Sequence, residues 1–176
     1  MKKISVRSIL IRYLVLIAVA IPNLWIFYFI FTPLTIYPVY LLFSVFFETS
    51  LSGVSISVSN YPIIEVVEAC VAGSAYYLLL ILNLSTPNIK LPKRIKMIAL
   101  SFAVLLIVNI LRIFSLGLLA FYSSPGFDIT HAVFWYVLST VFVVAIWFSE
   151  VKIFRIKEIP FYSDIKFLYK KSNFKK

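Results

Sequence analysis

The sequence predicts an α-helical integral membrane protein with four transmembrane helices, or five if residues 34–47 also cross. A short β-hairpin is expected on the outer face, before the helix that bears the lone cysteine. Two observations carry this. The chain is 62% hydrophobic and only 14% charged, against roughly 45–50% and about 25% in ordinary soluble domains. Its basic residues also gather in three short stretches separated by long apolar runs. Lys2, Lys3, Arg7 and Arg12 open the chain; Lys90, Lys93, Arg94 and Lys96 form an internal cluster; the rest, Arg112 apart, lie from Lys152 onward. That distribution is the positive-inside signature of a polytopic protein. It argues against nucleic acid as the partner of the +10 net charge and in favour of anionic lipid headgroups. One cysteine and one histidine exclude an internal disulfide and the usual zinc clusters, and no cofactor or metal is expected.

Taken in order, the first expected span is 13–31, about 19 residues and so long enough for a hydrocarbon core of roughly 30 Å. Residues 34–47 are interrupted by Pro33 and Pro38 nearby. They read as an interfacial or re-entrant helix. The period then changes: Val54, Ile56 and Val58 alternate with serines, and Asn60-Tyr61-Pro62 is a turn signal before a second apolar run. A hairpin over 53–67 follows. Exposed strand edges go unsatisfied in lipid, so the hairpin belongs on a surface. Further spans are expected at 69–84, 97–120 and 131–148, completing a membrane domain over 1–148. Residues 149–176 form a basic tail. Placing every basic cluster inside puts both termini in the cytoplasm of a multi-pass cell-membrane protein. The hairpin and the loop holding Asp128 then face outward.

Arg112 is the oddity, since a guanidinium inside such a run costs at least ~2.5–3.5 kcal/mol and marks a candidate functional site. Residue counts from the cytoplasmic helix ends place Cys70, Arg112 and His131 at roughly 21, 24 and 26 Å, one layer on three different helices. The chemistry these types support is nucleophilic acyl transfer. Cys70 is the candidate nucleophile, with its thiolate stabilised by a nearby cation. His131 is the candidate acid and base. Arg112, which stays protonated, is the candidate oxyanion stabiliser. Asn109 lies three residues before Arg112 on the same helical face and could orient the guanidinium or add a donor. Asp128 could fix the His131 tautomer or cap its helix, and Glu68 could balance the Arg112 charge or mark the interface.

The stretches "EACVAG" around Cys70, "NILR" ending at Arg112 and His131 opening the last span, in that order, resemble the exosortase/archaeosortase family of membrane cysteine transpeptidases. The chain resembles a small member, over about residues 34–148. The family often has a small hydroxyl residue and then glycine after the cysteine; here Val71 and Ala72 precede Gly73. The resemblance implies a protease that cleaves C-terminal sorting signals of exported proteins at the outer membrane face through a thioester acyl-enzyme. The substrates carry a short motif, a transmembrane helix and a basic end, and are passed to an acceptor that in some cases is a lipid. It implies Cys70 as nucleophile, Arg112 as oxyanion or thiolate stabiliser and His131 as acid/base. Two alternatives stand beside it: a membrane cysteine protease that only hydrolyses, and a non-catalytic membrane scaffold or transporter subunit in which Arg112 pairs a partner's carboxylate.

Overall fold

The computed structural model describes residues 6–121, 133 and 139–173. Its helices are α1 (Val6–Ala20), α2 (Trp25–Ser44), α3 (Glu68–Val71), α4 (Gly73–Leu84), α5 (Leu91–Phe121), α6 (Ser139–Ile153) and α7 (Tyr162–Asn173). Three strands, β1 (Thr49–Ser52), β2 (Ser55–Val58) and β3 (Ile64–Glu65), lie between α2 and α3.

The expectation of four or five transmembrane helices is overturned. Among the described residues, only α2 and α5 are long and apolar enough to cross a bilayer. The expected span 13–31 is two helices. Pro22 has no N–H to continue the ladder of α1, and Asn23 and Leu24 adopt left-handed conformations at φ 49° and 61°. The chain then restarts as α2, which takes in residues 34–44 of the expected 34–47 segment and keeps both Pro33 and Pro38 inside a 20-residue helix about 30 Å long. The expected span 69–84 also divides, at Ala72, leaving α4 with 12 residues and about 18 Å. Residues 131, 132 and 134–138 of the expected span 131–148 lie outside the described residues, and α6 continues past its expected end to Ile153.

The hairpin over 53–67 exists as β2 paired with β3, Ile56 opposite Ile64, and β1 adds a third antiparallel strand. β1 and β2 pair with Leu51 opposite Ile56 and Thr49 opposite Val58. Gly53, at φ +61°, holds the first position of their two-residue turn. The period-2 pattern decides which face is covered: Ile56 and Val58 are buried while the serines between them are not.

α5 is the central strut. α2, α4 and α6 pack on it, and α1 lies against α4, where the Tyr77 hydroxyl donates to the Leu16 carbonyl at 3.1 Å. Two aromatic clusters lock these helices. Phe31 stacks on Tyr76 at 3.7 Å, with Phe102 edge-on to both, joining α2, α4 and α5. Phe43, Phe47, Tyr61 and Phe121 join the end of α2 to the sheet loop and the end of α5. Such pairs contribute about 0.5–1.5 kcal/mol each beyond buried area. Gly117 permits the second cluster, because a Cβ there would lie 2.6 Å from Phe43 Cζ and 2.9 Å from Ile64 Cδ1. The sheet is thereby pinned to one end of the α2–α5 pair, and it delivers the chain into α3.

At the opposite end, the basic segment from 149 carries structure of its own. Asp164 of α7 is buried against Arg12 at 2.8 Å, and Phe161 N–H donates to Ser85 O at 3.2 Å. Nearby, Asn83 of α4 donates to the buried Glu150 of α6 at 3.0 Å.

Candidate functional site

Val66 is fixed to the sheet by its N–H donating to Val54 O at 3.0 Å. Extended Val67 then leads into α3, a single turn in which Cys70 N–H donates to Val67 O at 2.8 Å. The turn cannot continue. Ala72 sits in the left-handed region at φ 62°, ψ 40°, a conformation that costs a residue with a Cβ roughly 1–2 kcal/mol. α4 starts afresh at Gly73. Glycine is required there by close approach: a Cβ would lie 2.7 Å from Tyr28 Cε1 and 2.8 Å from its Cζ.

A helix broken in a buried setting leaves carbonyls that need partners from elsewhere. α5 supplies them. Asn109 Nδ2 donates to Cys70 O at 2.8 Å and reaches Val71 O at 3.5 Å. Arg112 Nη2 donates to the same Cys70 carbonyl at 3.3 Å. Three residues apart on α5, the two side chains share one face, and both residues are buried. The Cys70 side chain is half-buried, and its thiol lies within electrostatic reach of the Arg112 guanidinium. Beside them a cavity of about 10 Å³ opens between Ala72, Ala75, Leu105 and Phe142, room for one water-sized occupant.

Of the residues singled out by sequence, the fold therefore brings together Cys70, Arg112 and Asn109. Asn109 is a donor at the site, one of the two roles expected of it, and its acceptor is the Cys70 backbone carbonyl. Glu68 is exposed and opens α3, within electrostatic reach of Tyr28. His131 and Asp128 lie outside the described residues. Among the described residues, no three His, Cys, Asp or Glu side chains cluster as metal ligands do.

Sequence reasoning missed Ala72, Gly73 and Tyr28. The glycine directly after a small residue was the available signal for a break, yet the surrounding apolar run conceals it.

The arrangement offers a thiol at a rigid helix break, an always-charged group beside it and two donors that fix its backbone. No family model, no curated protein and no solved structure matches the chain, so the likeness to the exosortase/archaeosortase transpeptidases rests on the motifs at Cys70, Arg112 and His131 alone.

Proposed function

We propose that this protein is a membrane cysteine peptidase or transpeptidase in which Cys70 attacks a peptide carbonyl of an exported substrate. The observation that carries the reading is the convergence of Asn109 and Arg112 on the Cys70 carbonyl at the break after α3. Membrane residence is supported by the two long apolar helices and by large apolar side chains left exposed along them, among them Trp25, Phe29, Ile107 and Leu111. Patches of that kind suit lipid better than water.

In the proposed cycle His131 takes the thiol proton and the Cys70 sulfur adds to the substrate carbonyl carbon. Arg112, close to the sulfur, stabilises first the thiolate and then the negative charge on the tetrahedral oxygen. The scissile C–N bond breaks, the amine leaves with the proton held by His131, and a thioester remains. An acceptor nucleophile, or water, then attacks the thioester carbon, the C–S bond breaks and the thiol is restored. Transfer and hydrolysis differ only in that second nucleophile.

One observation favours a second reading. Both donors end on a main-chain carbonyl, which is also what a purely structural brace of the break at Ala72 requires. Mass spectrometry of the C-termini of exported proteins separates the two, comparing cells that carry the wild-type protein with cells that carry Cys70→Ala at equal membrane level. Catalysis requires that truncated or acceptor-linked C-termini disappear in the variant. Identical C-termini in both strains would leave only the brace.

A further inference from the structure

Far from Cys70 along the chain, α1 and the start of α5 enclose a groove of about 500 Å³. Arg7, Ser8, Arg12 and Arg94 contribute its polar lining, and Ile11 and Val15 are among its apolar walls. We infer that this groove binds the phosphate headgroup of an anionic lipid, with the apolar wall taking the first part of the acyl chain.

The argument begins with charge. Arg12 Nη1 and Arg94 Nη1 donate to one and the same oxygen, the Leu84 carbonyl, at 2.8 and 3.0 Å. Two guanidinium groups sharing one acceptor are held close together, and like charges so placed repel. Asp164 neutralises Arg12 at 2.8 Å. Arg94 donates its second Nη to Thr86 O at 2.7 Å, a neutral carbonyl that fixes the group without cancelling its charge. Arg7 adds a third, exposed guanidinium to the same groove. One carboxylate against three cations leaves an anion as the missing complement. Guanidinium forks suit phosphate oxygens in particular.

The walls choose between a free anion and an amphiphile. Ile11 and Val15 are exposed at 54% and 43%, so an apolar surface runs directly out of the charged end. A free phosphate has no use for it, whereas an acyl chain does. α7 fixes the depth of the groove. Phe161, Tyr162, Ile165, Leu168 and Tyr169 are all exposed. At helical spacing Tyr162, Ile165, Leu168 and Tyr169 fall on one face of α7, with Lys166 and Lys171 flanking it and Phe161 just before its start. That is the pattern of a helix lying in the headgroup layer. Asp164, on the same helix, ties that layer to Arg12 in the groove. Basic pockets between helices at this level are suited to anionic headgroups.

The test uses the full chain purified in neutral detergent. Its retained lipid is read by native mass spectrometry and its Tm by thermal unfolding, after addition of phosphatidylglycerol, phosphatidylcholine or inorganic phosphate. The expected result is selective retention of phosphatidylglycerol and a Tm rise of roughly 5–10 °C at about a hundredfold excess over Kd. Phosphatidylcholine and inorganic phosphate should give neither. Arg7→Glu, at an exposed position, should keep the detergent Tm and lose the selectivity. Equal retention of the two lipids, an equal Tm rise with inorganic phosphate, or wild-type retention by Arg7→Glu would each overturn the inference. The readout is independent of Cys70 chemistry, so it can fail while the catalytic reading stands, and the reverse.

Discussion

Replacing Asn109 with alanine tests whether the α5 brace holds Cys70 in place. In the wild type the Cys70 carbonyl accepts from Asn109 at 2.8 Å and from Arg112 at 3.3 Å. Only the first lies near the preferred N–H···O separation of about 2.9–3.0 Å, so the asparagine makes the better-placed of the two bonds. Its loss leaves a buried acceptor with the longer bond, a change worth about 1–3 kcal/mol. For a chain of this size that corresponds to a Tm fall of roughly 2–12 °C. The break itself provides the control. Ala72→Gly removes the left-handed penalty of roughly 1–2 kcal/mol and restores about 0.5–1 kcal/mol of unfolded-state freedom, for a net gain of up to about 1.5 kcal/mol. Because Asn109 and Ala72 serve the same break, the double variant should depart from additivity by at least about 0.5 kcal/mol. Thermal unfolding in detergent measures the stability. Maleimide labelling measures the site directly, since Cys70 is the sole cysteine, and Asn109→Ala should accelerate it as the turn loosens. A Tm within a degree of wild type, with an unchanged labelling rate, would refute the brace.

Gly73→Ala forces a methyl group against the Tyr28 ring and should cost about 1–3 kcal/mol in thermal unfolding; Tyr28→Leu in the same chain should recover part of it. Asp164→Ala strands a buried Arg12 and should destabilise by about 3–5 kcal/mol, with limited proteolysis reporting early release of α7. Arg112→Lys keeps the charge and loses the planar fork of donors. If Arg112 stabilises the developing oxyanion, C-terminal processing should fall by roughly 10² or more while membrane abundance holds; processing within twofold of wild type would remove that role.

The pairing of Cys70 with Arg112 was legible because it depends on little more than residue counts. The break at Ala72 displaces the register of the 69–84 segment only locally, so counting 1.5 Å per residue from its far end still puts the cysteine at the level of Arg112. The β2–β3 hairpin was legible from alternation and the Asn60-Tyr61-Pro62 turn signal, and Ile56 and Val58 reach the core while the serine between them does not. The number of spans was not legible. Hydropathy averages over conformation, and the breaks at Asn23–Leu24 and Ala72 are made by left-handed backbone at residues other than glycine. Hydropathy does not register such a break, and the Ala72-Gly73 pair that signals the second one is submerged in an apolar run. Pro22 ends a helix while Pro33 and Pro38 sit within one. The difference lies in what packs around them: Phe31, Ile36 and Val39 of α2 are buried in the core cluster, whereas Ile21, beside Pro22, is 78% exposed.

The basic residues show most sharply where sequence reasoning stops. Read as a charge pattern, Arg12 and Arg94 are interchangeable with Lys2 or Lys96, each one more positive residue in a cytoplasmic cluster. In the fold they are among the most constrained side chains in the molecule. Arg12 donates to Ser8 O, to Leu84 O and to Asp164, and Arg94 donates to Leu84 O and Thr86 O. Both guanidinium groups serve the C-terminal end of α4, where unpaired carbonyls and the helix dipole favour cations. A lysine could supply the charge there but not the planar set of donors. The choice of arginine over lysine at these two positions was therefore the one available sign that the cluster does more than orient the chain. It becomes interpretable only when both side chains are seen to meet at a single oxygen. That meeting point confines two positive charges beside one carboxylate and leaves the groove between α1 and α5 short of an anion.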